Sequence, residues 1–597
     1  MAAGGMTIAA LASAYASGRT PEDVVDAVFD RIATCPDPAV WITLRERADV
    51  VREARALAAD GRGRSPLWGI PFAVKDNIDC AGLPTTAGFP PAARTPAHDA
   101  AAVARLRAAG ALVVGKTNLD QLATGLVGVR SPYGIPRCVF AADHVSGGSS
   151  SGSAVAVARG LVPFALGTDT AGSGRVPAAF NNVVGVKPTR GLISTSGVVP
   201  ASPSLDCVSV FAASVAEAGL VRAQCQAYDA ADPYARRAGS HPLPAAGAVV
   251  GILAEDDRAF FGDTDAAELY ARAARLAEEN GHRTTRFDFA PFREAAGLLY
   301  GSALVAERLA ALEGTIAGHH DLLDPTVSGI LEDARRYSGA DAFRALQVLT
   351  GLRRRAQAVW AEMDVLLLPT APTIYTVQQI LADPIRLNAN LGTYTNFVNL
   401  LDCCAIAVPA GFTHAGLPFG TTLVAPAFCD DALAVLADDL HRALEPSFGM
   451  NRDPLPEARA TAAPGEATVD LVVVGAHLSG EPLNDELLER GATRVASTRT
   501  AADYRLFALP GTTPPKPGLV RQPGLSGAGI KVEVWRLSTN KFGDFVAGVP
   551  APLVIGTVTL ENGARAKGFL CEPCAIEGAE DITAYGGWRA YRRARRV

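Results

Sequence analysis

The chain has 597 residues, of which 49% are apolar and 19% charged, and its formal net charge is −6 at pH 7. This composition predicts a folded protein long enough for several domains and excludes a disordered chain. The charges are mixed and no basic run occurs, which argues against a nucleic-acid partner and against a membrane surface.

The first residues, MAAGGMTIAALASAYASGR, have no basic region ahead of their apolar stretch. We expect a first helix there, not a secretory signal. Arg159 interrupts the most apolar segment, and no apolar run reaches about 18 residues, so no transmembrane helix is expected. We interpret the ten scattered cysteines as reduced thiols of a cytoplasmic enzyme. Cys571 and Cys574 lack a second pair at zinc spacing, and no metal is expected.

Helix and strand patterns alternate along the first 450 residues. Thr20-Pro21-Glu22-Asp23 predicts a capped helix start, and DVVDAVFDRIATC continues it with helical apolar spacing. The segments GIPFAV and ALVVGKT are typical of strands and flank the helical AAVARLRAAG. The region from about 260 to 365 is mostly helical in pattern; strands return in DVLLLPTAPT and CAIAVPAGF, and DALAVLADDLHRALE ends a last helix near 445. We predict an α/β fold in which helices cover a mixed central sheet.

A linker is predicted at 451–467, where NRDPLPEARATAAPGEAT is rich in Pro, Ala, Gly and charge. It divides a first domain, 1–450, from a second, 468–597. The second contains several strand patterns with short helices between them, namely VDLVVVGAHL, YRLFALP, IKVEVWRL, LVIGTVTL and ARAKGFLCEP.

The stretch GGSSSGSAVAVARGLVPFALGTDTAGS places Ser149 and Ser173 24 positions apart, and Lys75 ends the apolar run GIPFAVK. A serine hydroxyl needs a base to become a nucleophile, and a lysine can be that base only when burial lowers its pKa. The alternative interpretation is a Gly/Ser linker and a solvated lysine. The flanking SAVAVARGLVPFALG is too apolar for a linker. The pattern therefore indicates acyl transfer without a histidine base.

These motifs, with GTDTAGSGRVPAAF and VVGVKPTRG, resemble the amidase signature family over about residues 5–445. The resemblance implies that family's fold and a Ser–cisSer–Lys triad. In it Ser173 is the nucleophile, Ser149 the proton relay and Lys75 the base. Asp169 and Arg175 look like charges that brace the loop.

The resemblance also implies an oxyanion hole formed by the backbone of Thr170, Ala171 and Gly172, together with that of Ser173. Ala171 and Gly174 replace a glycine and a bulkier residue that are usual in the family. If position 171 required a positive φ, alanine would be strained there. We expect the loop to tolerate alanine.

The segment from Asn118 to Tyr133 is similar to the corresponding segment of allophanate hydrolases, and Tyr300 and Arg308 have the spacing of that family's substrate-holding pair. Allophanate is a small urea-like molecule that ends in a carboxylate, which a guanidinium can bind through two hydrogen bonds. The resemblance implies that Gly125, Tyr300 and Arg308 bind substrate. By pattern alone, Arg308 is an exposed helix charge and Tyr300 a core aromatic.

The segments GAHLSGEPLNDELLERGATRV and YRLFALPG resemble the C-terminal domain of allophanate hydrolases, which is similar to the γ-glutamyl cyclotransferase-like fold. The resemblance implies that this domain decarboxylates N-carboxycarbamate, the product of the first domain, and that His477 of Gly475-Ala-His477 delivers the proton. The net products would be ammonia and bicarbonate, formed in urea degradation. His477 could instead cap a strand end, and Glu533 is either a pocket residue or structural.

The resemblance further implies allophanate as substrate, a homodimer and urea carboxylase as a functional partner, with no cofactor. Two other functions stay open: an amidase for another small amide or urea derivative, and an ammonia-producing subunit of an amidotransferase. A non-catalytic scaffold would not need Lys75, Ser149 and Ser173 together.

Overall fold

The computed structural model describes residues 6–59, 65–239, 241–244, 247–457 and 468–595. The chain divides into two compact units, one of Met1–Arg237 and Leu243–Arg459, the other of Ala238–Pro242 and Ala460–Val597. Residues 458–467 of the predicted linker, and 1–5 of the predicted first helix, lie outside the described residues.

The first unit alternates helices and strands in the way the sequence pattern predicts. Its helices are α1 (Ile8–Ala16), α2 (Pro21–Ala33), α3 (Arg47–Ala59), α4 (Ala101–Ala108), α5 (Ser151–Ala158), α6 (Val176–Ala179), α7 (Val215–Cys225), α8 (Thr264–Glu279), α9 (Ala290–Gly301), α10 (Ala306–Ile316), α11 (Pro325–Ala334), α12 (Gly339–Trp360), α13 (Val377–Ala382), α14 (Arg386–Leu391), α15 (Phe397–Leu400) and α16 (Asp430–Leu444). Its strands are β1 (Trp41–Leu44), β2 (Pro71–Lys75), β3 (Leu112–Thr117), β4 (Phe164–Asp169), β5 (Val184–Lys187), β6 (Cys207–Ala212), β7 (Val249–Leu253), β8 (Arg283–Phe287), β9 (Val365–Pro369), β10 (Cys403–Phe412), β11 (Pro418–Pro426), β12 (Ser447–Phe448) and β13 (Asp453–Pro454).

An eleven-stranded sheet runs through the first unit in the order β1-β3-β2-β4-β6-β5-β10-β11-β9-β7-β8. It is mixed: β2 is parallel to both β3 and β4, whereas β10 is antiparallel to β5 and β11. Strands β2, β4 and β6 are buried along their whole length, because helices cover the sheet. The predicted α/β fold with a mixed, helix-covered sheet is confirmed.

Local signals determine where several of these elements begin. At α2, the Thr20 hydroxyl accepts from the backbone N–H of Asp23, and the Asp23 carboxylate accepts from that of Thr20, which is a capping box. The prediction of a mostly helical region at 260–365 needs one correction, since β8 forms there. Arg283-Thr284-Thr285-Arg286-Phe287 lies at the sheet edge, where polar side chains face solvent and hide the apolar pattern of a strand.

The second unit is rich in strands, as predicted. Its elements are β14 (Thr468–Val473), α17 (Asn484–Leu488), β15 (Thr493–Arg499), β16 (Tyr504–Ala508), β17 (Pro517–Arg521), β18 (Lys531–Ser538), α18 (Thr539–Ala547), β19 (Leu553–Thr559), β20 (Arg565–Cys571), β21 (Glu580–Asp581) and α19 (Trp588–Arg595). A five-stranded sheet has the order β15-β18-β14-β20-β19, and a three-stranded sheet the order β17-β16-β21. Leu471, Trp535 and Phe569 contribute to the unit's own apolar core.

No single helix among the described residues is long and apolar enough to cross a membrane; one bent pair, Ala290–Gly301 with Ala303–Ile316, meets the length and composition criteria together.

Candidate active site

The predicted base, Lys75, is the last residue of β2 and has no solvent exposure. Its Nζ donates to Ser149 Oγ at 2.8 Å and to Thr168 Oγ1 at 2.7 Å. Burial lowers the pKa of Lys75 to about 7, although the carboxylates of Asp120, Asp206 and Asp169 oppose the shift. The side chain therefore holds a neutral amine for much of the time at neutral pH.

Ser149 follows a cis peptide bond from Gly148, in the loop that leads into α5. The loop is closely packed: a Cβ on Gly148 would lie 2.0 Å from Asp120 Oδ2. The backbone N–H of Asp120 donates to the Ser149 carbonyl at 3.0 Å. This packing fixes Ser149 against Lys75.

Ser173 lies in the loop after β4, beside the end of β2. Because β2 and β4 are parallel neighbours, their C-terminal ends lie at the same sheet edge, which brings Ser173 toward Lys75. Ser173 Oγ donates to the Gly125 carbonyl at 3.4 Å. Within the described residues, no hydrogen bond joins the hydroxyls of Ser149 and Ser173. The structure thus brings Lys75 and Ser149 into contact and leaves Ser173 turned toward Gly125.

The predicted oxyanion loop has one position that requires glycine, and it is not 171. Ala171 does not adopt a positive φ, whereas Gly172 has φ +148°. A Cβ on Gly172 would lie 2.5 Å from Thr395 Oγ1. Gly174 is also closely packed, since a Cβ there would lie 2.5 Å from Cβ of Ser209. The expectation that the loop tolerates Ala171 agrees with this backbone.

Asp169 and Arg175 form a buried pair that braces this loop. Arg175 Nε and Nη2 each donate to one carboxylate oxygen of Asp169 at 2.9 Å, and both side chains have no exposure. The Arg175 guanidinium also donates to the Thr395 carbonyl, at 3.2 Å from Nη2. The pair therefore ties the loop to the segment before α15, and within the described part of the chain it directs no donor at Ser173.

The three predicted substrate-binding residues lie close together. Arg308, which is 2% exposed, donates from Nη1 to Thr124 Oγ1 at 2.7 Å, and its Cζ lies 5.7 Å from the centre of the Tyr300 ring. Thr124 precedes Gly125, whose carbonyl accepts from Ser173. Arg308 is therefore not the exposed helix charge that the pattern alone indicates, and its guanidinium lies near Ser173.

His477 belongs to the second unit. Its ring stacks on Phe569 with ring centres 5.0 Å apart and meets Phe545 edge to face at 5.2 Å. Nε2 lies 3.1 Å from a carboxylate oxygen of Glu486. Burial lowers the pKa of His477, against the opposing effect of Glu486. The ring is thus held by apolar faces with one nitrogen beside a carboxylate.

Glu533, on β18, has a side chain only 2% exposed. Its Oε2 accepts from the backbone N–H and the hydroxyl of Ser479, both at 2.8 Å, and from Trp535 Nε1 at 3.2 Å. Burial raises the pKa of Glu533, but the hydrogen bonds from Ser479 and Arg589 outweigh it and lower that pKa below its usual value. Glu533 is therefore a fixed carboxylate and not a proton donor.

Sequence reasoning missed Thr168 and Asp120. Thr168 accepts from Lys75 Nζ and precedes Asp169 in the GTDTAGS motif, so its place in that motif was the available signal. Asp120 is fully buried, and its carboxylate accepts from the backbone N–H groups of Val127, Gly128 and Arg130. Only the folded loop shows that these contacts hold the segment around Gly125.

Comparisons with known proteins cover both units. The Amidase family matches residues 23–434, and the allophanate hydrolase C-terminal domain family matches residues 469–593. The urea amidolyase of Saccharomyces cerevisiae is 42% identical over 584 residues, which is 95% of this chain and 32% of that protein. The chain thus spans about a third of the length of such curated relatives.

Solved structures extend the similarity to the fold. The allophanate hydrolase of Kluyveromyces lactis is 40% identical with a TM-score of 0.75, covering 99% of each chain. A glutamyl-tRNA(Gln) amidotransferase subunit of a Synechococcus strain is 34% identical over 477 residues, which is 74% of this chain and 96% of that protein. The part of the chain beyond the first unit distinguishes the two kinds of relative.

Proposed function

Because the chain belongs to the amidase family and carries an allophanate hydrolase C-terminal domain, we propose that it hydrolyses allophanate to ammonia and N-carboxycarbamate. The C-terminal domain then decarboxylates the N-carboxycarbamate. The observation that carries the proposal is the contact of Lys75, fully buried with a pKa of about 7, with Ser149.

In the first stage, neutral Lys75 takes the proton of Ser149 as Ser149 takes that of Ser173. Ser173 Oγ then bonds to the terminal amide carbon, and the carbonyl oxygen becomes an oxyanion. The backbone N–H groups at Ala171 and Gly172 stabilise that charge. The nitrogen leaves as ammonia with the relayed proton, and water hydrolyses the acyl-enzyme by the same route in reverse. The hydrogen bond from Ser173 to Gly125 is exchanged for one to Ser149 when substrate binds.

Arg308 supports allophanate as the substrate, since its guanidinium provides a buried cation near Ser173. Allophanate carries a carboxylate at the end opposite its reacting amide. Charge pairing at that end orients the amide toward Ser173 without touching the reacting atoms. Tyr300 packs beside the guanidinium, and Gly125 offers its backbone to the amide.

In the second stage, His477 supplies the proton of a decarboxylation. The carbon–nitrogen bond of N-carboxycarbamate breaks, carbon dioxide leaves, and the bonding electrons stay on nitrogen, which takes the proton. Carbamate remains and breaks down to ammonia and bicarbonate. The lowered pKa makes the imidazolium of His477 a stronger acid, which suits proton delivery.

We further propose that the protein acts in the cytoplasm as a homodimer and that a urea carboxylase supplies its allophanate. The urea amidolyases that resemble this chain are about three times as long, which is consistent with a carboxylating activity elsewhere in those proteins.

The nucleophile assignment is tested by Ser173→Ala in the full chain. We expect ammonia release from allophanate to fall to background while allophanate binding persists, because the oxyanion loop and Arg308 are unchanged. Ser151→Ala is the matched control: its buried hydroxyl lies in the same glycine-serine loop and donates to the Asn118 carbonyl at 3.4 Å. Substantial turnover by Ser173→Ala, or equal losses in both variants, would remove the assignment.

The similarity to a glutamyl-tRNA(Gln) amidotransferase subunit favours a second candidate function, the production of ammonia for a partner protein. Such a protein would release the ammonia from glutamine. Assays of the purified chain with allophanate, malonamate and glutamine separate the candidates. Faster ammonia release from malonamate or glutamine than from allophanate would overturn the proposed substrate.

A further inference from the structure

Two arginines converge on the buried carboxylate of Glu533 in the second unit. Arg589 Nη1 donates to Glu533 Oε1 at 3.0 Å, and Arg589 Nη2 donates to the Ser479 carbonyl. Arg494 Nη1 donates to Ser479 Oγ at 2.9 Å and lies 3.5 Å from Glu533 Oε1. Elements far apart in the chain, β15, β18 and α19, thus meet at one carboxylate. We call these two arginines with Glu533 and Ser479 the guanidinium cluster.

The guanidinium cluster carries an excess positive charge with donors to spare. Two guanidinium groups share one ionised carboxylate, so one positive charge is left over. The side chain of Arg494 is 50% exposed and that of Arg589 is 37% exposed. A guanidinium has five N–H donors, and among the described residues nothing accepts from Nε or Nη2 of Arg494 or from Nε of Arg589. A small anion could therefore reach both groups.

The cluster and His477 lie on the same face of the five-stranded sheet. Glu533 is paired with Val473 across β18 and β14, and the parallel register of β14 and β20 places Phe569 on the same face as Val473. His477 stacks on Phe569. Two strand spacings, roughly 10 Å, therefore separate the carboxylate that holds the arginines from the ring beneath His477. Ser479, two residues after His477, contacts the cluster directly.

We propose that Arg494 and Arg589 form a binding site for a small dianion whose two carboxylates are one atom apart, and that one carboxylate pairs with these arginines while the other lies toward His477. This rests on the proposed function, in which N-carboxycarbamate is such a dianion. The carboxylate held by the arginines is the one that is retained as carbamate. The other leaves as carbon dioxide, and the bonding electrons remain on nitrogen, which takes its proton from His477.

This division of roles follows from electrostatics. A guanidinium stabilises a carboxylate, so pairing with the departing carboxylate would oppose its conversion to neutral carbon dioxide. Phe545 and Phe569 around His477 provide apolar surfaces, beside which loss of that charge is favoured. Glu533 acts as a positioning residue that fixes the arginines and does not touch the substrate.

The test uses malonate, a stable dianion in which a methylene replaces the nitrogen of N-carboxycarbamate. Trp535 donates to Glu533 and is a reporter inside the cluster. The full chain, which contains five tryptophans, is labelled with 5-fluorotryptophan and titrated with malonate by ¹⁹F NMR, with Trp535→Phe assigning the resonance. Acetate at equal ionic strength is the monoanion control. Binding of malonate near Arg308 in the first unit leaves the Trp535 resonance unaffected.

We expect malonate to shift the Trp535 resonance saturably and acetate to bind more weakly. Arg494→Gln and Arg589→Gln should each weaken malonate binding by about tenfold or more, the loss typical of a hydrogen bond to a charged group. Arg536→Gln is the matched control, since Arg536 is 49% exposed and paired with Asp470 on the opposite face of the same strand. It should leave the titration unchanged.

Two results would overturn the proposal: no malonate shift in protein that hydrolyses allophanate, or unchanged affinity in Arg494→Gln. Either would make the cluster a purely structural ion-pair group. Arg494→Gln is decisive even if Arg589→Gln unfolds the unit, because Arg494 is half exposed and its contact with Glu533 is the longer one. A normal malonate titration in protein that does not act on allophanate would instead remove the proposed function and leave a dianion site.

Discussion

The burial of Lys75 leads to a quantitative prediction for the pH dependence of ammonia release. The neutral amine is the working base, so activity should follow the fraction of Lys75 that has lost its proton. With a pKa of about 7, that fraction is about one half at pH 7, whereas an ordinary lysine with a pKa of 10.5 is neutral in roughly one molecule in 3,000. The buried position thus supplies more than a thousandfold more base at neutral pH.

The sign and the size of the pH effect both follow. Raising the pH removes the proton from Lys75, so kcat/KM should rise with pH and reach a plateau above the pKa. Between pH 6 and pH 8 the neutral fraction grows from about 9% to about 91%, which predicts about a tenfold rise with a midpoint near pH 7.

The assay is the initial rate of ammonia release at low allophanate concentration from pH 5.5 to 9, with an enzyme-free blank at each pH. Lys75→Met should have no measurable rate at any pH. Lys187→Met is the control, because Lys187 is also buried in the sheet but its Nζ donates to the Pro188 carbonyl at 2.7 Å. It should retain the midpoint. A flat profile for the unmodified protein, or a midpoint near pH 10, would refute the reasoning.

Three further substitutions test other parts of the structure. Gly172→Ala should lower ammonia release by about 10²- to 10³-fold, because a Cβ at φ +148° meets the Thr395 hydroxyl and displaces an oxyanion donor; a rate within threefold of the parent would contradict this. Arg175→Gln should reduce the free energy of unfolding by about 3–5 kcal/mol, since it leaves Asp169 buried without its partner, and an unchanged thermal melting temperature would count against that account. His477→Ala should leave the first ammonia unchanged and delay carbon dioxide, which a rapid-mixing assay of both products can resolve above spontaneous decarboxylation; equal slowing of both products would argue against a separate second stage.

Much of the first unit could be predicted because its signals are local. The capping residues of α2 lie within four positions, and the Gly147–Ser173 stretch contains both serines. Lys75 could be placed because it ends a short apolar strand. Strand β8 could not, since an edge strand with arginines and threonines does not show the apolar alternation on which the prediction depends.

The contacts that complete the site depend on residues far apart in the sequence. Arg308 meets Thr124 across 184 positions, and Arg175 meets Thr395 across 220. No local pattern encodes such pairs, because they arise only when the helices after β8 pack over the sheet. The environment of His477 is similar in kind: α18 and β20 bring Phe545 and Phe569 to it, and the motif Gly475-Ala-His477 contains neither.

The strand that ends in Lys75 has a consequence for how this protein could change. β2 is hydrogen-bonded to β3 on one side and to β4 on the other, so the main chain itself sets the position of the amine. Arg308 and Tyr300, in contrast, project from separate helices whose sequence does not enter that ladder. New substrates could therefore be selected by changing α9 and α10 while the proton-transfer machinery keeps its geometry, which makes these helices the first place to redesign specificity.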